Sequence, residues 1–116
     1  MHKHSLDQLV SKRAAKHLRS FRADVEKRFG TRVKSIKLFG SRARGDAKSN
    51  SDYDVVVFIE NDESRRATDH ILSDLAYPHV LAGVDIQAFS VPPDFLDRPR
   101  SLPLAISVQE EGIELR

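Results

Sequence analysis

Apolar residues recur every three or four positions from Ser5 to about Phe29, with lysines and arginines between them, and this spacing predicts an amphipathic helix. Ser5, with Gln8 three residues later, is a typical capping-box start, and Gly30 is a typical stop. The residues expected on the buried face are Leu6, Leu9, Val10, Ala14, Leu18, Phe21, Val25 and Phe29. We therefore expect one continuous helix over this range.

Two strands are predicted next along the chain. Arg32 to Phe39 alternates loosely and contains β-branched residues, and Asp54 to Glu60 has no polar break until its end. A continuous apolar run of that length is typical of a central strand that is covered on both faces. Between the strands, Arg42 to Ser51 predicts a short helix or turn followed by a polar loop, with Gly45 as a breaker.

The second half of the chain predicts a helix and a third strand. The helix is expected from about Ser64 to Ala76, ended by Tyr77-Pro78, because the residue before a proline disfavours helical backbone. Its inward residues are predicted to be Ala67, Ile71, Leu72 and Leu75. The third strand is predicted over Val84 to Val91, with Val84, Ile86 and Ala88 on one side and Asp85, Gln87 and Phe89 on the other.

A short helix over Leu102 to Val108 and a last strand around Gly112 to Leu115 complete the predicted elements. Together they indicate an α/β (α+β) fold, with a mixed sheet of about four strands flanked by helices. At 116 residues the chain is expected to be one domain, residues 1–116, because it can build one core but not two.

Composition excludes several classes of protein. There is no cysteine, which excludes disulfides and thiolate metal sites, and the five histidines show no metal-ligand spacing, so we expect them at the surface. No apolar run approaches the roughly 20 residues that span a bilayer, and the basic start is not followed by a signal-peptide core. A soluble, cytoplasmic protein with no membrane contact is the expectation.

The net charge of +2 hides a strong asymmetry between the two ends of the chain. Residues 1–48 carry 14 Lys and Arg against 4 Asp and Glu, whereas residues 49–116 carry 5 against 13. Such segregation could steer a polyanion or an acidic protein to the first half, or could simply form a solvated surface. Binding to nucleic acid therefore remains open at this point.

Two short motifs carry chemistry. A strand that ends in Gly40-Ser41 can point bare backbone amides at an anion, because glycine has no Cβ to block a close approach, and this suits a phosphate. Asp52 and Asp54 lie two residues apart at the start of the next strand, so both carboxylates share one face. Asp85, near the start of the third strand, is expected opposite Asp54 if the two strands pair.

Three carboxylates within about 4 Å would repel each other by roughly 4 kcal/mol per pair at an effective dielectric near 20. A hard dication relieves that repulsion, and Mg²⁺ suits the site because it prefers oxygen ligands and substrate phosphates. Taken alone, an Asp-x-Asp sequence is more often a turn or a cap, and a lone Gly-Ser pair is more often a turn. Their occurrence together, in this order, favours a metal and nucleotide site.

The segments Gly40-Ser41-Arg42-Ala43-Arg44-Gly45 and Ser51-Asp52-Tyr53-Asp54, each beside an apolar strand, resemble the nucleotidyltransferase superfamily that includes DNA polymerase beta. Within it, the chain resembles the small stand-alone minimal nucleotidyltransferases over nearly its whole length. The resemblance implies nucleotidyl transfer from ATP, with two Mg²⁺ ions held by Asp52, Asp54 and Asp85. It also implies that the nucleotide phosphates are bound by Gly40, Ser41, Arg42, Arg44 and Ser51.

Stand-alone members of this size are commonly partners of a HEPN-domain protein. The resemblance therefore implies an antitoxin, in a homo- or hetero-oligomer, that transfers AMP from ATP to a tyrosine of the toxin. One alternative is a non-catalytic binding module that neutralises the toxin by occlusion. The other is a small-molecule nucleotidyltransferase of the aminoglycoside-modifying kind, which 116 residues would accommodate poorly unless a dimer built the acceptor pocket.

Overall fold

The computed structural model describes residues 5–45, 47–48, 50–60, 64–97, 108 and 111–116. These residues form helices packed on a four-stranded mixed sheet, which confirms the predicted α+β class. The helices are α1 Leu6–Leu9, α2 Lys12–Phe29, α3 Ser41–Arg44 and α4 Arg65–Leu81. The strands are β1 Val33–Phe39, β2 Tyr53–Ile59, β3 Ile86–Val91 and β4 Ile113–Glu114, and short 3₁₀ turns lie at Gly30–Arg32 and Phe95–Asp97.

The sheet has the order β3-β2-β1-β4, so β2 is central, as predicted. Strand β1 is antiparallel to both β2 and β4, whereas β2 and β3 are parallel and are connected through α4. Val55, Val57 and Ile59 point into the core beneath the helices. Val56 and Phe58 belong to a second cluster on the other face, so β2 is buried on both sides.

The N-terminal helix is interrupted, and the prediction of one continuous helix is wrong. Val10 is extended, with φ −130° and ψ 162°, and Ser11 begins α2 by accepting a hydrogen bond from the Ala14 amide at 3.0 Å. A serine side chain can satisfy a backbone amide that would otherwise lie unpaired at a helix start. The predicted ends are confirmed: the Ser5 amide donates to Gln8 Oε1, and α2 ends at Phe29 with Gly30 as its C-cap.

The helix α4 continues through Pro78 to Leu81, so the predicted end at Tyr77-Pro78 is wrong. Pro78 is exposed near the last turn, where only one helical hydrogen bond is lost and its acceptor can be hydrated. The inward face also differs from the prediction, because Ala67 is exposed, whereas Thr68 and Ala76 are buried. Leu72 is buried, and Ile71 and Leu75 pack against the core as predicted.

The third strand begins at Ile86 rather than Val84 and ends at Val91, before the predicted proline stop. The last strand lies within its predicted range. The helix predicted over Leu102 to Val108 lies outside the described residues, except for Val108, which is buried in the second cluster. Among the described helices, none is both long and apolar enough to span a membrane.

A buried hydrogen-bond pair fastens α4 to β3. Asp69 Oδ1 accepts from both the backbone amide and the hydroxyl of Ser90, each at 2.7 Å, and Ser90 is buried. We expect Asp69→Ala to lower the free energy of unfolding by about 2–3 kcal/mol, because it leaves two buried donors without an acceptor. Urea denaturation would measure this. Asp74→Ala, on the exposed face of the same helix, is the control, and an equal loss there would contradict the interpretation.

His79 is buried in α4, contrary to the expected surface position, and it contacts α2. Its Nδ1 lies 2.9 Å from His17 Nδ1, and the two rings are perpendicular, with centroids 5.1 Å apart. Only one of the two nitrogens can carry the shared proton. Burial lowers the pKa of His79, the neighbouring His17 lowers it further, and Asp24 partly opposes both effects.

This pair should make the fold sensitive to acid. The pKa of His79 is lower in the folded than in the unfolded chain, so the unfolded chain binds more protons below the unfolded value near 6.5. The contribution of His79 to the free energy of unfolding is therefore fully present above that pH, and it is lost as the pH decreases towards the folded pKa. For one proton the slope is at most about 1.4 kcal/mol per pH unit. Urea denaturation at pH 7.5 and 5.5 measures the slope. His79→Gln should flatten it, whereas the exposed His70→Gln should not.

Candidate active site

Gly40 lies between β1 and α3 in a backbone conformation that only glycine adopts readily, with φ 76° and ψ −156°. Its carbonyl accepts hydrogen bonds from the amides of Ala43 and Arg44, both at 3.0 Å, which fixes the short turn that follows. A Cβ on Gly40 would lie 2.6 Å from Asp54 Oδ2. The structure therefore brings Gly40 directly beside the Asp54 carboxylate, across the β1–β2 pairing of Phe39 with Asp54, and Ser41 follows as the first residue of α3.

Asp85 faces Asp52, and the expected position opposite Asp54 is wrong. The parallel register pairs Tyr53 with Ile86 and Asp54 with Gln87, which places Asp85 one residue before β3 and level with Asp52. The Tyr53 amide donates to the Asp85 carbonyl at 2.8 Å, and the carboxyl groups of Asp52 and Asp85 are close enough to form a hydrogen bond when one of them is protonated. A single edge of the sheet therefore holds all three aspartates.

The electrostatics show that the carboxylates affect one another. The hydrogen bond to Asp85 raises the pKa of Asp52, burial and the charge of Asp85 add to it, and the charge of Arg42 opposes it. For Asp54, burial is the main cause of a raised pKa, and the charges of Asp52 and Asp85 add to it while Arg44 opposes it. These shifts indicate an excess of negative charge that the neighbouring arginines do not fully balance.

The donor set suits a hard dication, because it consists of carboxylate oxygens that lie beside the backbone of a turn. Within the described part of the chain, however, no group of three or more Asp, Glu, His or Cys side chains is arranged closely enough to hold a metal ion. Asp52 and Asp85 are in contact, and Asp54 lies nearer to Gly40. Asp52 is exposed, so its side chain can reorient without disturbing the core.

Arg42 holds the loop that precedes Asp52. Its Nη2 and Nε donate to the Ser51 carbonyl at 2.8 and 3.3 Å, and its guanidinium lies 4.2 Å from the centroid of the Tyr53 ring. Tyr53 itself is buried in the cluster beneath the helices. The structure thus gives Arg42 a positioning contact, in addition to a charge near Asp52.

The other residues predicted to bind phosphate lie around the same edge. Arg44 is in an ion pair with Glu111, with Nη1 3.2 Å from Oε1, and it is close enough to lower the pKa of Asp54. Ser51 Oγ accepts from the Lys48 amide at 2.9 Å and closes the loop before Asp52. Both residues lie near the aspartates, but these bonds join Arg44 to Glu111 and Ser51 to Lys48.

Sequence reasoning missed one residue of this edge. Gln87 Nε2 donates to Asp85 Oδ1 at 2.7 Å, and this contact orients the carboxylate that meets Asp52. The signal was present, because residues two apart in an extended segment share a face. Gln87 follows Asp85 by two positions and had already been placed on the same side of the strand.

Comparisons with known proteins concern the family and the fold. A family model for the nucleotidyltransferase domain matches residues 18–112. The fold is similar to that of a candidate nucleotidyltransferase from Sulfolobus solfataricus, with a TM-score of 0.66 and 17% identity over 98% of this chain and 89% of the other. No curated protein gives a significant match.

Two toxin–antitoxin structures are also similar in fold. One is a toxin–antitoxin complex with AMP-PNP, with a TM-score of 0.55 and 22% identity over 84% of this chain and 72% of the other. The second is a mutant MntA-HpeT toxin–antitoxin complex, with a TM-score of 0.55 and 19% identity over the same shares of the two chains. At these identities the similarity concerns the fold.

Proposed function

Because the chain belongs to the nucleotidyltransferase domain family, we propose that it transfers AMP from ATP to a hydroxyl of a partner protein. The observation that carries the proposal is the placement of Asp52, Asp54 and Asp85 at one edge of the sheet, where Asp52 contacts Asp85 and Asp54 lies beside Gly40. A fold needs no such cluster for its stability, since it concentrates negative charge in one place. A nucleotidyl-transfer site does need it.

In the proposed reaction, the oxygen of the acceptor hydroxyl attacks the α-phosphorus of ATP. A new phosphorus–oxygen bond forms, the bond between the α-phosphorus and the bridging oxygen breaks, and pyrophosphate leaves with the displaced electron pair. The hydroxyl proton passes to a carboxylate of the aspartate cluster, which acts as the general base.

Each residue has a proposed role in that step. Asp52, Asp54 and Asp85 hold Mg²⁺, which when bound neutralises the phosphate charge and lowers the pKa of the acceptor hydroxyl. Gly40 and Ser41 bind the β- and γ-phosphates through the turn that starts α3. Arg42 positions the loop before Asp52, and Arg44 adds positive charge on the side where pyrophosphate leaves.

We propose a HEPN-domain toxin as the acceptor, with a tyrosine as the modified residue, in a hetero-oligomer with this chain. Support comes from the toxin–antitoxin complexes of similar fold, one of which is described with AMP-PNP. Neutralisation by occlusion alone is the competing function. The clustered aspartates argue against it, because binding a toxin without chemistry requires none of them.

The test is to incubate the chain with ATP, Mg²⁺ and the protein encoded by the adjacent reading frame, as the candidate partner, and to follow that protein by intact mass. We expect the addition of one AMP group or more to the partner, and no addition with Asp52→Ala. An unchanged mass with the parent chain, or an addition that persists in the variant, would reject the proposal. Protection of cells by the Asp52→Ala variant as complete as that by the parent would establish occlusion instead.

A further inference from the structure

The last turn of α4 exposes a group of large apolar side chains. Tyr77 is 59% exposed, Leu81 is 69% exposed and Val80 is 36% exposed, and within the described residues these are the large apolar side chains that reach solvent to this extent. Single exposed apolar residues are ordinary, but here they fall within five residues of one helix. Tyr77 and Leu81 are four apart and therefore share one side. We call these three residues the apolar turn.

The apolar turn lies at the same end of the molecule as the aspartates. Helix α4 ends at Leu81, and only three residues separate it from Asp85, which meets Asp52. The start of α2 lies there too, because the Arg13 guanidinium donates to the carbonyl of Ala82. This surface therefore lies at the same end of the sheet as the atoms that are proposed to react.

Basic side chains lie beside the apolar turn, at the start of α2. Lys12, Arg13 and Lys16 are all exposed on the first turns of α2, and we call them the basic cluster. Together with Arg19 and Asp7 they line an open cleft of about 680 Å³. The one acid in that lining, Asp7, is paired with Arg19 and accepts two hydrogen bonds from it at 2.9 and 2.8 Å.

We propose that the apolar turn and the basic cluster form a docking surface for the acceptor protein, and that they recognise an amphipathic helix with apolar and acidic side chains. Apolar residues of the occupant cover Tyr77 and Leu81, and its carboxylates pair with the lysines. The identity of the occupant as the acceptor rests on the proposed function. The chemistry of the surface does not, because it follows from exposure and charge alone.

Two other occupants fit the surface less well. An RNA backbone would pair with the basic cluster, but Leu81 and Val80 offer nothing that a phosphate or a sugar requires. A second copy of the chain in an isologous dimer would bring two basic clusters towards each other. An acidic amphipathic helix satisfies both the apolar and the charged parts of the surface.

The experiment uses two designed 18-residue helical peptides that share one leucine face and carry either glutamates or lysines on the other. Binding of each fluorescein-labelled peptide to the full chain is measured by anisotropy, without nucleotide or metal. We expect the glutamate peptide to bind at least about tenfold more tightly than the lysine peptide. Tyr77→Ser/Leu81→Ser should weaken its binding about tenfold or more, as expected for the loss of two central apolar contacts.

Lys16→Glu and Lys27→Glu form a matched pair, because both lysines are exposed on α2 and lie 11 residues, roughly 16 Å, apart along the helix. Only the first should weaken binding of the glutamate peptide. Equal effects of the two, or equal binding of the two peptides, would overturn the proposal. Tighter binding of a poly-uridine oligonucleotide than of the glutamate peptide would also overturn it. The same holds if sedimentation shows a dimer of the parent chain that Tyr77→Ser/Leu81→Ser dissociates.

The result does not depend on catalysis. Asp52→Ala should bind the glutamate peptide as the parent does, because Asp52 lies outside both groups of residues. If the peptide binds as expected and no AMP transfer is found, the docking surface stands and the proposed reaction fails. If transfer occurs and the surface variants leave peptide binding unchanged, the reaction stands and the docking surface is rejected.

Discussion

Asp54→Asn is expected to abolish AMP transfer while making the metal-free chain more stable. Burial and the charges of Asp52 and Asp85 raise the pKa of Asp54, so its ionised form is disfavoured in the folded chain. A neutral amide of the same size removes that repulsion, which should raise the free energy of unfolding by up to about 1 kcal/mol after allowance for solvent screening. The same change removes a proposed metal ligand and should lower the transfer rate roughly a thousandfold.

Thermal unfolding with EDTA and with excess Mg²⁺ separates the two effects. Without metal, Asp54→Asn should unfold at a higher temperature than the parent. With Mg²⁺ and ATP, the parent should gain stability by linkage, and the variant should gain much less. Asp74→Asn is the control, since it is exposed and remote from the site, and it should match the parent in both conditions. A metal-free variant less stable than the parent would contradict the electrostatic interpretation.

The local parts of the site were predictable from the sequence because their geometry is fixed by neighbouring residues. The position of Gly40 at the end of a strand can be predicted from the apolar pattern before it. The two-residue spacing of Asp52 and Asp54 places both side chains on one face of the next strand. The position of Asp85 was less predictable, since it depends on the register between β2 and β3. A shift of two residues in that register decides whether Asp85 meets Asp52 or Asp54, and no local pattern specifies it.

The errors in the fold have a similar origin. Periodicity continues across Val10 and Ser11, so nothing in the apolar pattern signals that the Ser11 hydroxyl begins a new helix. Proline usually ends a helix, but Pro78 lies where only one hydrogen bond is lost while Ala76 and His79 are buried on either side of it. The burial of these residues therefore outweighed the tendency of proline to end a helix. The continued helix also places His79 against His17, which lies 62 residues earlier in the chain.

Gly40→Ala is expected to eliminate transfer and to destabilise the fold. The backbone at Gly40, with φ 76° and ψ −156°, belongs to a region that is nearly exclusive to glycine, so any side chain costs about 1–3 kcal/mol there. The new methyl group would also lie 2.6 Å from Asp54 Oδ2, a distance at which one of the two groups must move. Displacing Asp54 should lower the transfer rate by about a hundredfold or more, beyond any loss due to unfolding.

Gly30→Ala is the control that separates the effect of backbone strain from the effect of displacing the Asp54 side chain. Gly30 has almost the same backbone conformation, with φ 64° and ψ −139°, but its added Cβ would meet nothing within 4 Å, and it lies at the far end of α2 from the basic cluster. In urea denaturation both variants should lose the stability that backbone strain costs, and Gly40→Ala should lose at least as much as Gly30→Ala. Only Gly40→Ala should lose transfer at a temperature where each is folded. Equal activity of the two folded variants would mean that the close approach of Gly40 to Asp54 has no part in the reaction.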